Sequence, residues 1–230
     1  MFNKKNIRAL ENFIQNIYSA ESLSSEESEK NLEDSLFEIF YYNGQHKANG
    51  LFITENGYFL TANHAAEDTC LDYVLYNKRI YPIKFIHKRD KKKDISLGKV
   101  DLPKKPKNLI YKIENTNLLL KEYPFGYPST IIYKKDGKIN KIQTKIWTTG
   151  MGTKLKNSEK YESRIITDTF TEDGTSGGII LNWSGKLIGI LSSGNDCTTL
   201  FSPIFSGLNL IQKEINTLKS PIIFLEERLF

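Results

Sequence analysis

Ser176 stands in the segment DGTSGG (173–178), between Gly174 and the pair Gly177–Gly178. Glycine loses more backbone freedom on folding than any other residue. Three glycines this close together therefore indicate a loop whose backbone shape matters. The apolar segment that follows, IILNWSGKLIGIL, predicts two buried strands joined by a turn. One interpretation is a tight turn that happens to contain a serine. The other is a serine hydroxyl presented as a nucleophile.

A histidine and an aspartate elsewhere in the chain could activate that hydroxyl. His64 follows the strand-like segment NGYFLTAN and precedes two alanines, so its imidazole can face a cleft. Asp94 opens the apolar segment DISLGKV, and a carboxylate at that place needs a donor such as an imidazole N–H. These residue types predict acyl transfer, with Ser176 as nucleophile, His64 as general base and Asp94 orienting the imidazole. His46 and His87, which lie in polar surroundings, are predicted to be surface residues.

Composition excludes several other classes of function. The chain has 230 residues and a net charge of +5, spread over many lysines. Acidic residues interrupt the densest basic run, HKRDKKKD (87–94), so nucleic-acid binding is not expected. Cys70 and Cys197 form no CxxC or Cys/His cluster, which argues against structural zinc and a disulfide framework, although one bridge between them stays open. No metal or other cofactor is predicted.

The sequence also predicts where the protein acts. No stretch approaches the roughly 20 apolar residues that a membrane-spanning helix needs. The first 20 residues lack the apolar core of a secretory signal. We therefore expect no membrane association and a cytoplasmic location, provided that Met1 is the natural start.

The elements that must position these residues follow from periodicity and turn signals. Apolar residues at helical spacing predict an amphipathic helix over 1–20, which either packs on the domain or contacts a partner protein. The acidic, serine-rich stretch 21–35 predicts a solvated linker or an exposed helix. From residue 36, short aromatic and β-branched segments alternate with NG, DG and SG dipeptides, which predicts antiparallel β-structure. A helix capped by Ser206 is predicted over 206–219.

The order His64, Asp94, Ser176 on such a chain resembles that of the chymotrypsin-like serine proteases. LTANHAAE is similar to the family's histidine segment, DISLGKV to its aspartate strand and DGTSGG to its nucleophile loop. The resemblance is closest to bacterial proteases of the high-temperature-requirement type, and it covers about residues 36–219. It implies two packed six-stranded antiparallel barrels with an N-terminal helical extension and a C-terminal helix.

The implied organisation has three parts. Residues 1–35 form the N-terminal helix and acidic linker, 36–110 the first barrel, and 111–230 the second barrel with the C-terminal helix. No peptide-binding domain of the high-temperature-requirement type is expected after residue 219. Thr175 replaces the aspartate or asparagine found before the nucleophile in other members, so activation by a new N-terminal amine is not expected.

The resemblance also implies the surroundings of the nucleophile. The backbone N–H groups of Gly174 and Ser176 would form the oxyanion hole. The residue six before the nucleophile lies at the base of the primary specificity pocket in this fold. The implied pocket residues are Phe170, Thr171, Ile190, Leu191 and Ser192. Such a pocket predicts cleavage after small or medium apolar residues, unless Glu172 or Asp173 turns inward.

Three interpretations of function remain open at the level of sequence. The first is a serine endopeptidase, whose substrate is a protein or peptide. The second is a catalytically degenerate protease fold that binds proteins. The third, supported only by the lysines, is a basic barrel that binds nucleic acid.

Overall fold

The computed structural model describes residues 2–66, 72–76, 79–102, 106, 109–114, 125–150, 164–194 and 197–219. Helices in these ranges are α1 (Phe2–Ser19), α2 (Ser25–Ser35) and α3 (Ile204–Lys219), with 3-10 turns at Ala20–Ser22 and His64–Ala66. The strands of the first half are β1 (Leu36–Phe40), β2 (His46–Phe52), β3 (Tyr58–Thr61), β4 (Tyr73–Tyr76), β5 (Arg79–Asp90) and β6 (Ile95–Val100). Those of the second half are β7 (Tyr127–Lys135), β8 (Lys138–Gly150), β9 (Arg164–Thr167), β10 (Ile179–Asn182), β11 (Leu187–Gly194) and β12 (Thr199–Pro203).

The strands form two closed antiparallel barrels. The first has the order β1-β2-β3-β6-β5-β4 and the second the order β10-β11-β12-β9-β8-β7. This arrangement confirms the predicted chymotrypsin-like fold class. The sequence pattern missed β12, a short strand that contains Pro203 and carries no hairpin signal of its own. The domain boundary at residues 110 and 111 stays a prediction, although Ile113 already forms a bridge with Leu187 of the second barrel.

The turn signals lie where the strands reverse. Gly44, Gly57, Gly137 and Gly185 all adopt positive φ, between 72° and 87°. At Gly57 a side chain is excluded twice over, because a Cβ would also lie 1.9 Å from the carbonyl oxygen of Val100. The dipeptides therefore fix the hairpins through backbone conformation.

Three apolar cores hold the barrels together. One fills the first barrel and another fills the second. The largest lies between the barrels and continues beneath the helices; its members include Leu10, Phe13, Leu60, Ile95, Ile179, Ile190 and Ile211. Burying this much apolar surface at the junction predicts that the two barrels form one rigid unit.

The N-terminal helix packs on the chain's own surface. Leu10, Phe13 and Ile17 of α1 are buried, so the apolar face that might have met a partner is occupied. Glu11 pairs with Lys219 of α3, with an Oε1–Nζ distance of 2.7 Å. A partner of this helix would have to contact its polar face, and that prediction remains untested. No helix in the described ranges is long and apolar enough to cross a bilayer.

The other two helices each contact the barrel that is not next to them in the chain. The acidic stretch forms α2, which begins at a capping box made by Ser24 and Glu27. Ser25 and Ser28 of this helix donate to the backbone carbonyls of the β10–β11 turn in the second barrel. Helix α3 packs against β5 and β6 of the first barrel and against β11 and β12 of the second. It begins at Ile204, so the prediction of Ser206 as its cap is wrong; Ser206 is buried in the first turn.

Candidate active site

The three residues predicted to carry the chemistry come from different elements and meet at the junction of the barrels. His64 begins the 3-10 turn after β3, and Asp94 ends the turn between β5 and β6. Ser176 lies in the loop between β9 and β10 of the second barrel. His64 Nδ1 lies 2.9 Å from Asp94 Oδ2, and His64 Nε2 lies 3.0 Å from Ser176 Oγ. These distances allow a continuous hydrogen-bonded chain from carboxylate to hydroxyl.

Asp94 is held as an anion despite its burial. Burial raises the pKa of a carboxyl group, but hydrogen bonds from the His64 ring, the His64 backbone N–H and the Ser192 hydroxyl outweigh it. The pKa of Asp94 is therefore lowered. Its backbone has a positive φ of 46°, and Ser202 Oγ donates to its carbonyl oxygen at 3.2 Å. The second barrel thus supports an aspartate that belongs to the first.

The carboxylate also fixes the tautomer of the imidazole. Because Nδ1 faces Asp94 Oδ2, Nδ1 carries the proton and Nε2 is left with a lone pair toward Ser176. The Ser176 hydroxyl has a second acceptor in the carbonyl oxygen of Ser192, at 3.2 Å. Proton transfer to His64 requires the hydroxyl to point to Nε2. The side chain of His64 is 49% exposed, so the reacting face is open to a substrate.

Glycines shape the loop around Ser176. Gly174 and Gly177 have φ values of 86° and 80°. Thr175 is buried, and both its N–H and its hydroxyl donate to the carbonyl oxygen of Glu172. In the described part of the chain, no residue accepts a hydrogen bond from the N–H of Gly174 or Ser176, the two amides predicted to stabilise an oxyanion.

A cleft of about 630 Å³ opens beside Ser176. Of the predicted pocket residues, Phe170, Thr171, Leu191 and Ser192 line it. Phe170 is 52% exposed, so it borders the mouth and does not close the base. Thr171 is buried deeper, with its hydroxyl 3.1 Å from that of Thr199. Lys135 also borders the cleft, which the sequence did not predict.

Ile190 does not reach the cleft, and its assignment to the pocket is corrected. It is fully buried in the core between the barrels and pairs with Ile179 of β10. Neighbouring side chains of a strand point to opposite faces, and here Ile190 faces the core between the barrels while Leu191 faces the core of the second barrel. Sequence position alone did not give the register of β11.

The prediction that His46 is a surface residue is also wrong. The imidazole of His46 is only 12% exposed, and a Cβ on Gly174 would lie 2.8 Å from its Nδ1. Its Nε2 lies 3.8 Å from Glu38 Oε1, and both atoms are buried without a hydrogen-bond partner among the described residues. Burial lowers the pKa of His46, and the negative charge of Glu38 opposes that shift. The side chain of His87 lies outside the described residues.

Asn49 is the other residue that sequence reasoning missed. It is fully buried on β2 and contacts the nucleophile loop from the first barrel. Its sequence context, ANG, carries no signal for such a contact. Among the described residues, no group of three or more His, Cys, Asp or Glu side chains is arranged to hold a metal ion.

Residues 48–190 match the model of the trypsin-like peptidase domain. The chain belongs to this family. It is 30% identical to the periplasmic serine endoprotease DegP of Escherichia coli strain K12 over 145 residues, which are 59% of this chain. The DegP of Salmonella typhimurium is 31% identical over 143 residues. The matched part amounts to 27% of either relative, so the chain corresponds to about a quarter of their length.

Solved structures agree on the fold. The HtrA-type protease AlgW with a decapeptide aligns over 84% of this chain and 68% of its own, with a TM-score of 0.63 at 17% identity. The apo MamO protease domain from Magnetospirillum magneticum aligns over 78% of this chain and 96% of its own, with a TM-score of 0.63 at 16% identity. At such low identity the likeness concerns the arrangement of strands, and the chemistry must be argued from the site.

Proposed function

We propose that the protein is a serine endopeptidase that hydrolyses peptide bonds through His64, Asp94 and Ser176. The observation that carries this proposal is the pair of contacts that His64 makes, 2.9 Å to Asp94 and 3.0 Å to Ser176. A buried carboxylate, an imidazole and a hydroxyl in that order are what nucleophilic acyl transfer needs.

The reaction would proceed in two stages. His64 Nε2 accepts the proton of Ser176 as Oγ forms a bond with the scissile carbonyl carbon. The resulting imidazolium, stabilised by Asp94, gives its proton to the leaving amine as the peptide bond breaks. In the second stage water attacks the acyl carbon and gives a proton to His64. His64 then returns a proton to Ser176 Oγ as the carboxylic acid product leaves.

The negative oxygen of each tetrahedral intermediate would lie between the N–H groups of Gly174 and Ser176. The positive φ of Gly174, 86°, is a conformation that other residues rarely adopt. A Cβ there would also approach His46. Two preorganised donors in this place would supply much of the rate enhancement, since loss of one such donor typically lowers kcat about 10²–10³-fold.

We further propose that cleavage follows small or medium apolar residues. Phe170 gives the mouth of the cleft apolar surface, whereas the Leu191 side chain is buried in the core of the second barrel. The carboxylate of Glu172, which could have favoured basic substrates, pairs with Lys135 at 2.6 Å. A lysine or arginine side chain entering the cleft would therefore compete with an existing cation. Profiling with a peptide library tests this specificity, and dominant cleavage after lysine or arginine would overturn it.

Labelling with a fluorophosphonate probe tests the activity itself. The wild-type protein should be labelled, Ser176→Ala should not, and Ser184→Ala should be labelled like wild type because Ser184 lies in the distant β10–β11 turn. Hydrolysis of a protein substrate should follow the same pattern. A folded wild-type protein that resists the probe would favour the second candidate, a degenerate fold that binds proteins. The cytoplasmic location stays a prediction, to be tested by cell fractionation; the relatives named above are described as periplasmic.

A further inference from the structure

Asn49 connects both barrels with the nucleophile loop through four hydrogen bonds. Its backbone N–H donates to the carbonyl oxygen of Ser176 at 2.6 Å, and its Nδ2 donates to that of Gly174 at 3.2 Å. Its Oδ1 accepts from the backbone N–H of Lys134 on β7 at 2.7 Å. Its own carbonyl accepts from the Thr61 hydroxyl at 2.7 Å. The side chain is fully buried.

These partners leave the Asn49 amide one orientation. Oδ1 faces a backbone N–H, which can only donate, and Nδ2 faces a backbone carbonyl, which can only accept. With the amide reversed, Nδ2 would face the N–H of Lys134, donor against donor, and Oδ1 would face the carbonyl of Gly174, acceptor against acceptor. The Lys134 contact therefore aims Nδ2 at Gly174.

The contacts hold successive peptide groups of the loop. Asn49 holds the carbonyls of Gly174 and Ser176, and between them the carbonyl of Thr175 accepts from the N–H of Gly178 at 3.0 Å. The N–H and C=O of a peptide group are coplanar and point in opposite directions. The Ser176 N–H shares its peptide group with the Thr175 carbonyl, and Asn49 holds the peptide groups on either side of that one. Fixing all three fixes the direction of the Ser176 N–H and the ψ angle of Gly174, which has no side chain to restrict it.

We infer that Asn49 is a positioning residue that keeps the N–H group of Ser176 aimed at the developing oxyanion. This inference rests on the proposed peptidase function. Asn49 touches no reacting atom and acts through the loop backbone. Its effect should fall on the transition state more than on the bound substrate, because only the tetrahedral oxygen needs both amides.

Two substitutions separate the donor from the rest of the side chain. Asn49→Asp keeps the shape and the acceptor for Lys134 but sets a carboxylate oxygen against the Gly174 carbonyl. Asn49→Ser is too short to reach both partners. Each should lower kcat about 10- to 100-fold with KM changed less than threefold, the range expected when a reacting group is misplaced by a fraction of an ångström. Affinity for a peptidyl boronate, whose tetrahedral oxygen occupies the oxyanion site, should fall in proportion to kcat/KM.

Asn182→Ala provides the matched control. Asn182 is also a buried asparagine, and its Oδ1 caps the β10–β11 turn through the backbone N–H groups of Ser184 and Lys186. This variant should lower Tm and leave kcat unchanged. If Asn49→Asp fails to fold, Asn49→Ser carries the test.

The outcomes distinguish this inference from the proposed function. A folded Asn49 variant with kcat within twofold of wild type overturns the inference, as does a loss of kcat without a loss of boronate affinity. A wild-type protein that neither reacts with a fluorophosphonate nor cleaves peptides overturns the peptidase itself.

Discussion

Asp94→Asn should nearly abolish peptide cleavage while leaving the fold intact. In the wild type, Oδ1 accepts from the backbone N–H of His64 at 2.8 Å, and Oδ2 accepts from the ring Nδ1 at 2.9 Å and from the Ser192 hydroxyl. Asparagine has one oxygen, so its NH2 group must replace one of these acceptors. A backbone N–H cannot change its role, whereas an imidazole can exchange tautomers. The NH2 group should therefore face the ring, move the ring proton to Nε2 and prevent Nε2 from accepting the proton of Ser176.

The expected loss is about 10⁴-fold in kcat, the size associated with the wrong imidazole tautomer in such a triad. That factor corresponds to about 5 kcal/mol of transition-state stabilisation. KM should change little, because Asp94 does not contact the peptide. The assay is steady-state hydrolysis of a fluorogenic peptide, with Tm measured on the same samples.

Asp90→Asn is the matched control. Asp90 is the last residue of β5, just before the same turn, and its Oδ1 accepts only from the backbone N–H of Lys93 at 3.0 Å among the contacts described. An amide oxygen can serve that N–H equally well, so kcat should stay within about twofold. A kcat of Asp94→Asn within tenfold of wild type would refute the reasoning. An equal loss of kcat in Asp90→Asn would show that the effect is not specific to the carboxylate of Asp94.

Three further predictions concern other parts of the molecule. Ser176→Ala and His64→Ala should each nearly abolish cleavage and leave a small residual kcat. The double variant should be hardly slower than either, because the residues act as one unit; fully additive losses would contradict a shared mechanism. Gly57→Ala should lower the free energy of unfolding, measured in urea, by about 3 kcal/mol or more, because it combines a left-handed backbone with a Cβ 1.9 Å from the Val100 carbonyl oxygen. Gly137→Ala, with open space at its Cβ, should lower it by about 1–2 kcal/mol. Equal losses would show that the close contact at Gly57 relaxes. Because burial lowers the folded-state pKa of His46, the unfolded chain binds the proton first as pH falls below about 6.5, and stability should decline there. His46→Gln should make the decline between pH 7 and 5 shallower, as measured by urea unfolding, and an unchanged slope would contradict this.

Local sequence signals predicted the framework well. The hairpin dipeptides specify positive φ by themselves, and Gly44 and Gly57 need no distant partner to do so. Alternation of apolar residues marked most strands, because each has a face toward a core. The position of Ser176 between glycines pointed to a shaped loop, and the family resemblance joined it to His64 and Asp94.

Contacts between the barrels were beyond the reach of local signals. Asn49 and His46 lie in unremarkable polar sequence, and their burial depends on a loop more than a hundred residues away. Ile190 was misplaced because the register of β11 depends on its pairing with β10 and β12. Strand β12 itself is defined by its neighbours more than by its composition. In each case the deciding partner is distant in sequence.

The contacts of α2 and α3 with both halves of the chain have a consequence for a chain that is cut between the barrels. Helix α2 precedes the first barrel but donates hydrogen bonds to the second, and α3 follows the second barrel but packs against both barrels. A single cut of the backbone between Val100 and Tyr127 would produce two fragments. Each fragment would carry a helix, α2 or α3, that contacts the barrel of the other fragment. The fragments should stay associated without a covalent link, with Ser176 still beside His64. A chain cut once between its barrels should therefore keep the activity that the intact chain has.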